Sequence, residues 1–244
     1  MTDRPRSADE ERPARAPSVR RASFSAGRLE QVSDLGEMSR TKLLVAAAAA
    51  FRQDGFAATS IEAVARRLGA TKGLVYHHYR SKNDLFFDVC RQGMALDFAA
   101  VQPHATSRER AVTRLKRMAE AHVLAMIEHL DFQQVILQGV SIHLSGTVHS
   151  DDRATLADLM ADRDRYERLF RETLVAAVSE GDLAAGIPPA LGAQALLAVI
   201  NGPVFWYAPR PGDTAARRAA IARDLSLFAL RGAGAGPVTI EEEF

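Results

Sequence analysis

Cysteine is nearly absent from this chain of 244 residues, with Cys90 standing alone. An intrachain disulfide and a cysteine-built zinc site are therefore excluded, and a reducing, cytoplasmic setting fits. No N-terminal apolar run is long enough for a signal peptide. The most apolar later stretch, Pro188 to Ala208, is interrupted by Gln194, Asn201, Gly202 and Pro203. A membrane span needs about 20 nearly uninterrupted apolar residues, so a buried helix is expected there and no membrane partner. Enzyme signatures are missing too. The seven histidines form no HExxH and no Cys/His cluster, the GATKG run from Gly69 to Gly73 lacks phosphate-loop spacing, and no G-x-S-x-G elbow accompanies the serines. The expectation is a non-enzyme with no catalytic residues, no metal and no resident cofactor.

Net charge is also low, at +1, until it is divided along the chain. Residues 1–37 carry seven arginines against seven acids, residues 38–82 carry eight bases against two acids, and the remainder carries sixteen bases against twenty-one acids. The middle segment is +6 and points to a polyanion partner. Residues 1–37 are rich in Arg, Pro, Ala and Ser with few large apolar residues, which predicts a disordered tail. A Gly/Ala-rich end from Gly232 predicts a second one over 232–244.

The segment 38–85 reads as three short helices. The first is expected from near Ser39 to a stop at Gly55, burying Leu44, Ala47, Ala48 and Phe51. Thr59 with Glu62 three residues on reads as a capping box for the second, whose stripe is Ile61, Val64, Ala65 and Leu68. After the Gly69 turn, Thr71 is placed to cap a third helix through about His77, with Leu74 turned to the core and Thr71, Lys72, Gly73, Val75, Tyr76 and His77 outward or flanking. Two short helices joined by a tight turn are the helix-turn-helix arrangement, whose second helix lies in the major groove. Gly73 costs such a helix about 1 kcal/mol relative to alanine, and close approach to a sugar-phosphate backbone would explain it. Ser81 then caps a fourth helix through about Ala100, with Lys82 at its phosphate-favouring N-terminus.

The run Gly55-Phe56, Thr59-Ser60, Val64-Ala65, Leu68-Gly69, Thr71 to Tyr76, Tyr79, Ser81-Lys82 and Leu85 resembles the N-terminal domain of the TetR family of transcriptional repressors. The resemblance implies an all-α protein with a three-helix DNA-binding domain over 38–85 and a larger helical ligand-binding and dimerisation domain over 86–231. It also implies an operator contact made by Thr59, Ser60, Thr71, Lys72, Gly73, Tyr76, His77, Tyr79 and Lys82. Lys72, His77 and Thr71 are the candidates for base edges; Thr59, Tyr76, Tyr79 and Lys82 are those for phosphates. Tyr79 stands where the family more often has Phe.

Beyond Pro103, Ser107 is placed to cap a helix carrying Val112, Leu115, Ala119, His122 and Met126 on one side. A helix over about 132–144 sets Gln138, Ser141 and His143 among apolar neighbours, as satisfied core groups or as a cavity lining. In the helix over about 152–180, the stripe Leu156, Leu159, Arg163, Tyr166, Phe170, Leu174 and Ala177 contains one charge. Arg163 needs a partner there, and spacing alone favours an acid, Asp131 or Glu167, over an anionic ligand by roughly two to one. The helix from Pro188 to Trp206 is apolar almost all round, and Asp213 is placed to cap a last helix bearing Ile221, Leu225 and Phe228. A second subunit is the simplest cover, hence a homodimer with a four-helix interface.

The body also resembles, over about 70 residues, the TetR-family branch that regulates steroid and fatty-acid breakdown, through Arg163, Tyr166-Glu167, Phe170-Arg171, Gly181-Asp182-Leu183, Asn201, Trp206-Tyr207 and Pro209. That resemblance implies a small-molecule effector of the acyl-CoA thioester class and a ligand site drawn from Arg163, Tyr166, Phe170, Asn201 and Trp206, to which Gln138 is added as a polar residue on an apolar helix. The expected partners are therefore double-stranded operator DNA, a second copy of the chain and that effector. The competing reading is a helical adaptor that binds protein; it would account for the body and leave the +6 head without a purpose.

Overall fold

In the computed structural model the described residues are 26–145 and 152–243, and among them there are eleven α-helices and no strand. The chain divides at Met38/Ser39 into two units. Of the first unit, residues 26–38 are helical, where a disordered tail was expected; residues 1–25 lie outside the described part.

The first helix, α1, spans Ala26–Ala58 and so begins well before Ser39, while Gly55 does interrupt it with φ 76°, ψ 161°. Only glycine takes that conformation without strain. Leu44, Ala47, Ala48 and Phe51 are buried as the spacing requires. The second helix, α2 (Ile61–Leu68), is capped by Ser60 rather than Thr59: the Ser60 hydroxyl accepts from Ala63 N at 3.2 Å. Thr59 is buried, and its hydroxyl donates to the Gly55 carbonyl at 2.7 Å, where the chain reverses after the break. The third helix, α3 (Lys72–His78), has Thr71 at its cap position without a side-chain cap bond. Its core anchor is Val75, fully buried, while Leu74 is only half-buried, the reverse of the expected orientation.

Helix α4 (Lys82–Ala105) is capped by Ser81, which accepts from Asp84 N at 3.0 Å. Pro103 lies inside it instead of ending it. Phe86 of α4 stands edge-on to Phe51 with ring centres 5.3 Å apart, so the start of α4 belongs to the core of the head. The rest of α4 packs against α5 (Ala111–Glu128), α6 (Leu130–Ser145) and α7 (Arg153–Ser179). Arg110 occupies the cap position of α5, since Ser107 turns away to bond Glu109. Close packing of α4 on α6 rests on Gly93 and Gly139: a methyl on Gly93 would meet Ile136 Cδ1 at 2.7 Å.

The apolar stretch after Pro188 divides at Asn201-Gly202 into α8 (Pro189–Ile200) and α9 (Pro203–Trp206). Among the described residues, Pro189–Trp206 is the one window long and apolar enough to cross a membrane. Helix α10 (Ala215–Gly232) is capped by Thr214, not Asp213, through Arg217 N at 3.2 Å. It packs on α5 and α8. In the C-terminal segment expected to be disordered, the described residues are structured to Glu243: Ala184 N donates to the Gly234 carbonyl at 3.0 Å, and α11 (Pro237–Glu243) is joined by Thr239 to the Asp182 carbonyl and by Thr113 to Glu243.

Candidate functional site

Two places in the Ser39–Phe244 unit gather functional side chains. The first is the outer surface of the head. On α3, Lys72, Gly73, Tyr76 and His77 are exposed, and Thr71 and Ser60 are exposed at the starts of α3 and α2. Lys72 pairs with Glu62 and stands over the Tyr76 ring at 5.4 Å. The hydrogen bond to Glu62 raises the Lys72 pKa and lowers that of Glu62. Both groups are at the surface, so a phosphate can compete for the lysine at little cost. A methyl on Gly73 would meet only Thr71 Oγ1, at 3.8 Å, so nothing inside the protein demands glycine there.

Three expected members of that surface are committed inward. Thr59 is buried as described. Tyr79 is buried and its hydroxyl donates to Asp88 at 2.5 Å. Lys82 donates to the carbonyls of Phe56 at 2.8 Å and Ala57 at 3.2 Å and lies over the Phe56 ring, so it caps the end of α1. Its ammonium retains one further donor.

The second place is a cavity of about 470 Å³ enclosed by α4 to α9. Its apolar wall comes from Met94, Met126, Ile136, Val140, Met160 and Leu197. Arg163, Asp164 and Phe205 are exposed and mark the mouth. Asp97, His122, Gln133 and Tyr166 are buried and mark the far wall. There the Tyr166 hydroxyl is 2.7 Å from His122 Nδ1, and His122 Nε2 is 3.0 Å from the Asn201 side-chain oxygen. That pairing makes Nε2 the donor to Asn201, leaving Nδ1 to accept from Tyr166 in the neutral ring. Burial drives the His122 pKa down to about 4, against the opposing effect of Asn201. Burial likewise pushes Asp97 up to about 8, although Gln133 Nε2 donates to its carboxyl at 2.7 Å.

Of the residues expected to form a ligand site, Arg163, Tyr166 and Asn201 line the cavity. Gln138, Phe170 and Trp206 do not. Phe170 lies behind Tyr166, with ring centres 5.5 Å apart. Trp206 is exposed, on the outer side of α9. Gln138 faces the head: its amide donates to the Phe51 carbonyl at 2.9 Å and accepts from Phe56 N at 3.0 Å, joining the two sides of the break at Gly55. Arg163 makes no ion pair or hydrogen bond among the described residues. Asp131 is taken by Arg52 at 2.5 Å, and Glu167 is 3.8 Å from Arg171. Partial burial lowers the Arg163 pKa, with Asp164 and Glu167 acting in the opposite sense.

Helix α6 serves both places. Gln133, Ile136, Leu137 and Val140 face the cavity, while Asp131, Gln134 and Gln138 hold Arg52, Phe51 and Phe56 of α1. Gln134 also donates to the Val204 carbonyl of α9, another wall of the cavity. Asp97, Gln133 and His122 were not singled out as ligand residues from sequence. The spacing Cys90, Met94, Asp97, Val101 puts an acid on a buried stripe and carries the same kind of signal as Arg163.

Residues 43–89 match the model of bacterial regulatory proteins of the tetR family, and residues 108–233 match that of the tetracyclin repressor-like C-terminal domain. The chain is 28% identical over 154 residues to the HTH-type transcriptional repressor KstR2 of Mycobacterium tuberculosis, an alignment covering 63% of this chain and 73% of that one. The solved structure of that ketosteroid transcriptional regulator matches with a TM-score of 0.68 at 22% identity, over 81% of this chain and 95% of its own. A structure of AibR in complex with isovaleryl coenzyme A and operator DNA matches with a TM-score of 0.64 at 23% identity, over 79% and 98% of the two chains. At these identities the two structures speak for the shared fold.

Proposed function

Because this chain belongs to the tetR family of bacterial regulatory proteins and is a transcriptional regulator, we propose that it is a homodimeric repressor released from its operator by a small molecule bound in the α4–α9 cavity. The observation that carries this reading is the double use of α6. A ligand that moves the cavity face of α6 moves the Gln134 and Gln138 side chains that hold α1. Equal affinity for both arrangements would shift nothing, so the effector must favour the arrangement in which the heads are misplaced.

In this proposal α3 enters the major groove. Thr71, Lys72 and His77 reach base edges, Ser60 and Tyr76 reach phosphates, and Gly73 permits the backbone to come close. Thr59 and Tyr79 act from inside by fixing the head, and Lys82 keeps at most one donor for phosphate. Two copies would place their α3 helices about 34–36 Å apart, or a multiple. The dimer rests on the apolar groups that α8, α9 and α10 leave uncovered, Leu191, Phe205, Trp206 and Phe228, which are 55–70% exposed in the single chain.

The effector class is proposed as acyl-CoA thioesters, with the acyl group in the cavity and the phosphates near Arg163. AibR, of the same fold, binds such a compound, and Arg163 makes no ion pair or hydrogen bond among the described residues, although Asp164 and Glu167 act on its charge. The test is to titrate the operator complex with a panel of acyl-CoA thioesters. Release by one of them is expected in the wild type and its loss in Arg163→Ala, whose operator affinity stays unchanged. Release by an unrelated compound alone would remove the thioester class and leave the regulator. Lys72→Ala and Tyr76→Ala are expected to abolish sequence-selective binding to DNA flanking the protein's own gene; selective binding that survives both would refute the assignment of α3.

A further inference from the structure

We propose that Asp97 and Gln133 form a subsite at the far wall of the cavity for a neutral oxygen function, a hydroxyl or ketone, on the buried end of the effector. The proposal rests on the reading of this cavity as the effector site and narrows the ligand class. Asp97 is 4% exposed. One of its carboxyl oxygens accepts from Gln133 Nε2 at 2.7 Å, and the group has no other partner among the described residues. It lines the cavity itself, so a molecule bound there can supply a further hydrogen bond to it.

The groups around Asp97 decide the chemistry. From α5 comes His122, held neutral by burial; from α6 comes the amide of Gln133; from α7 comes the Tyr166 hydroxyl; and at the end of α8 stands Asn201. The cation of the cavity, Arg163, is at the mouth with Asp164 and Glu167 beside it. A carboxylate inserted at the far wall would face an acid with no cation to neutralise either. An ammonium would need to be stripped of water and would bury an ion pair behind the methionine and aliphatic wall of the cavity. A hydroxyl donates to Asp97, and a ketone accepts from its neutral carboxyl form, which burial favours at neutral pH. Neither brings a charge inside.

The experiment compares saturated medium-chain acyl probes ending in a methyl, a hydroxyl, a ketone or an amine, each as the methyl ester and as the CoA thioester. Binding to the full-length protein is measured by calorimetry and operator release by anisotropy. The hydroxyl- and ketone-ended probes are expected to bind about five- to tenfold tighter than the methyl-ended one, the worth of one buried hydrogen bond. Asp97→Leu is expected to erase that difference while operator binding is retained; if that variant does not fold, Asp97→Ala takes its place. Equal affinities, a preference that survives removal of the carboxyl, tightest binding of the amine, or binding of no probe each overturn the subsite. Its fate is separable from that of the thioester class. A hydroxyl preference among the methyl esters upholds the subsite even where thioesters bind no tighter. Thioesters that release DNA without any preference overturn the subsite alone.

Discussion

Two aspartates on α4, nine residues apart, are buried to nearly the same degree, Asp88 at 6% and Asp97 at 4% exposure. Asp88 accepts from Tyr79 at 2.5 Å, Arg40 at 2.6 Å and Arg91 at 3.3 Å, and so joins α1, the end of α3 and α4 into one head. Asp97 accepts one neutral amide and looks into a cavity. A buried acid surrounded by donors holds elements in place; a buried acid with one amide partner beside a cavity is left open to a further one. The same helix carries the joint of the head at one end and a wall of the cavity at the other.

The largest effect expected at the cavity end of α4 appears with pH. Burial favours the neutral form of Asp97, moving its pKa from an ordinary 3.8 to about 8. Its contribution to stability is complete below about 4 and is lost progressively as pH rises to about 8. His122 acts in the other sense: its pKa falls from 6.5 to about 4, so its contribution is present above 6.5 and lost as pH falls toward 4. Between pH 6.5 and 8 Asp97 alone is active. Thermal melting of the ligand-free protein is expected to show Tm falling across that window, and Asp97→Asn should flatten the slope. Parallel slopes for the two proteins would mean that Asp97 is solvated after all. Asp88→Ala acts instead on the joint of the head. It should cost about 2–3 kcal/mol in urea unfolding, less than a fully buried pair because Arg40 is half exposed, and should weaken operator binding by loosening α3.

How much of this could be read in the sequence follows from the range of the interactions. The Gly55 break, the Ser81 cap and the buried faces of α1 and α5 depend on residues within a few positions, and the spacing declares them. The cap of α2 falls on Ser60 although Thr59 is equally able to cap by type, because the Thr59 hydroxyl is turned inward to the Ala50 and Gly55 carbonyls. Gln138 was legible as a polar group on an apolar helix, but nothing local says that its partners are Phe51 and Phe56, more than eighty positions earlier. Arg163 was found because a long stripe contained a charge. Asp97 has the same pattern over a shorter stretch, and it becomes interpretable only when α5, α6 and α7 close around it without offering a cation.

A smaller effect should come from Gln138→Ala. It removes two partly buried hydrogen bonds across the Gly55 break and is expected to cost about 2 kcal/mol. It should also separate the two ends of the molecule: effector affinity in calorimetry stays within about twofold of wild type, since the residue is outside the cavity, while the ligand-induced drop in operator affinity shrinks. An unchanged drop would show that the cavity and the head communicate by a path other than α6.

The smallest stability effects should distinguish two hydroxyls at equivalent positions. Ser60 caps α2 through Ala63 N, and Ser60→Ala is expected to lower stability by about 1 kcal/mol. Thr71 occupies the corresponding position before α3 but makes no cap bond, so Thr71→Ala should stay within about 0.5 kcal/mol of wild type. Operator binding should rank them the other way, with the larger loss of selectivity in Thr71→Ala, because a hydroxyl unused within the protein is free to be used by DNA. If Thr71→Ala neither destabilises the protein nor changes the selectivity of operator binding, Thr71 does not read bases, and base recognition falls to Lys72 and His77.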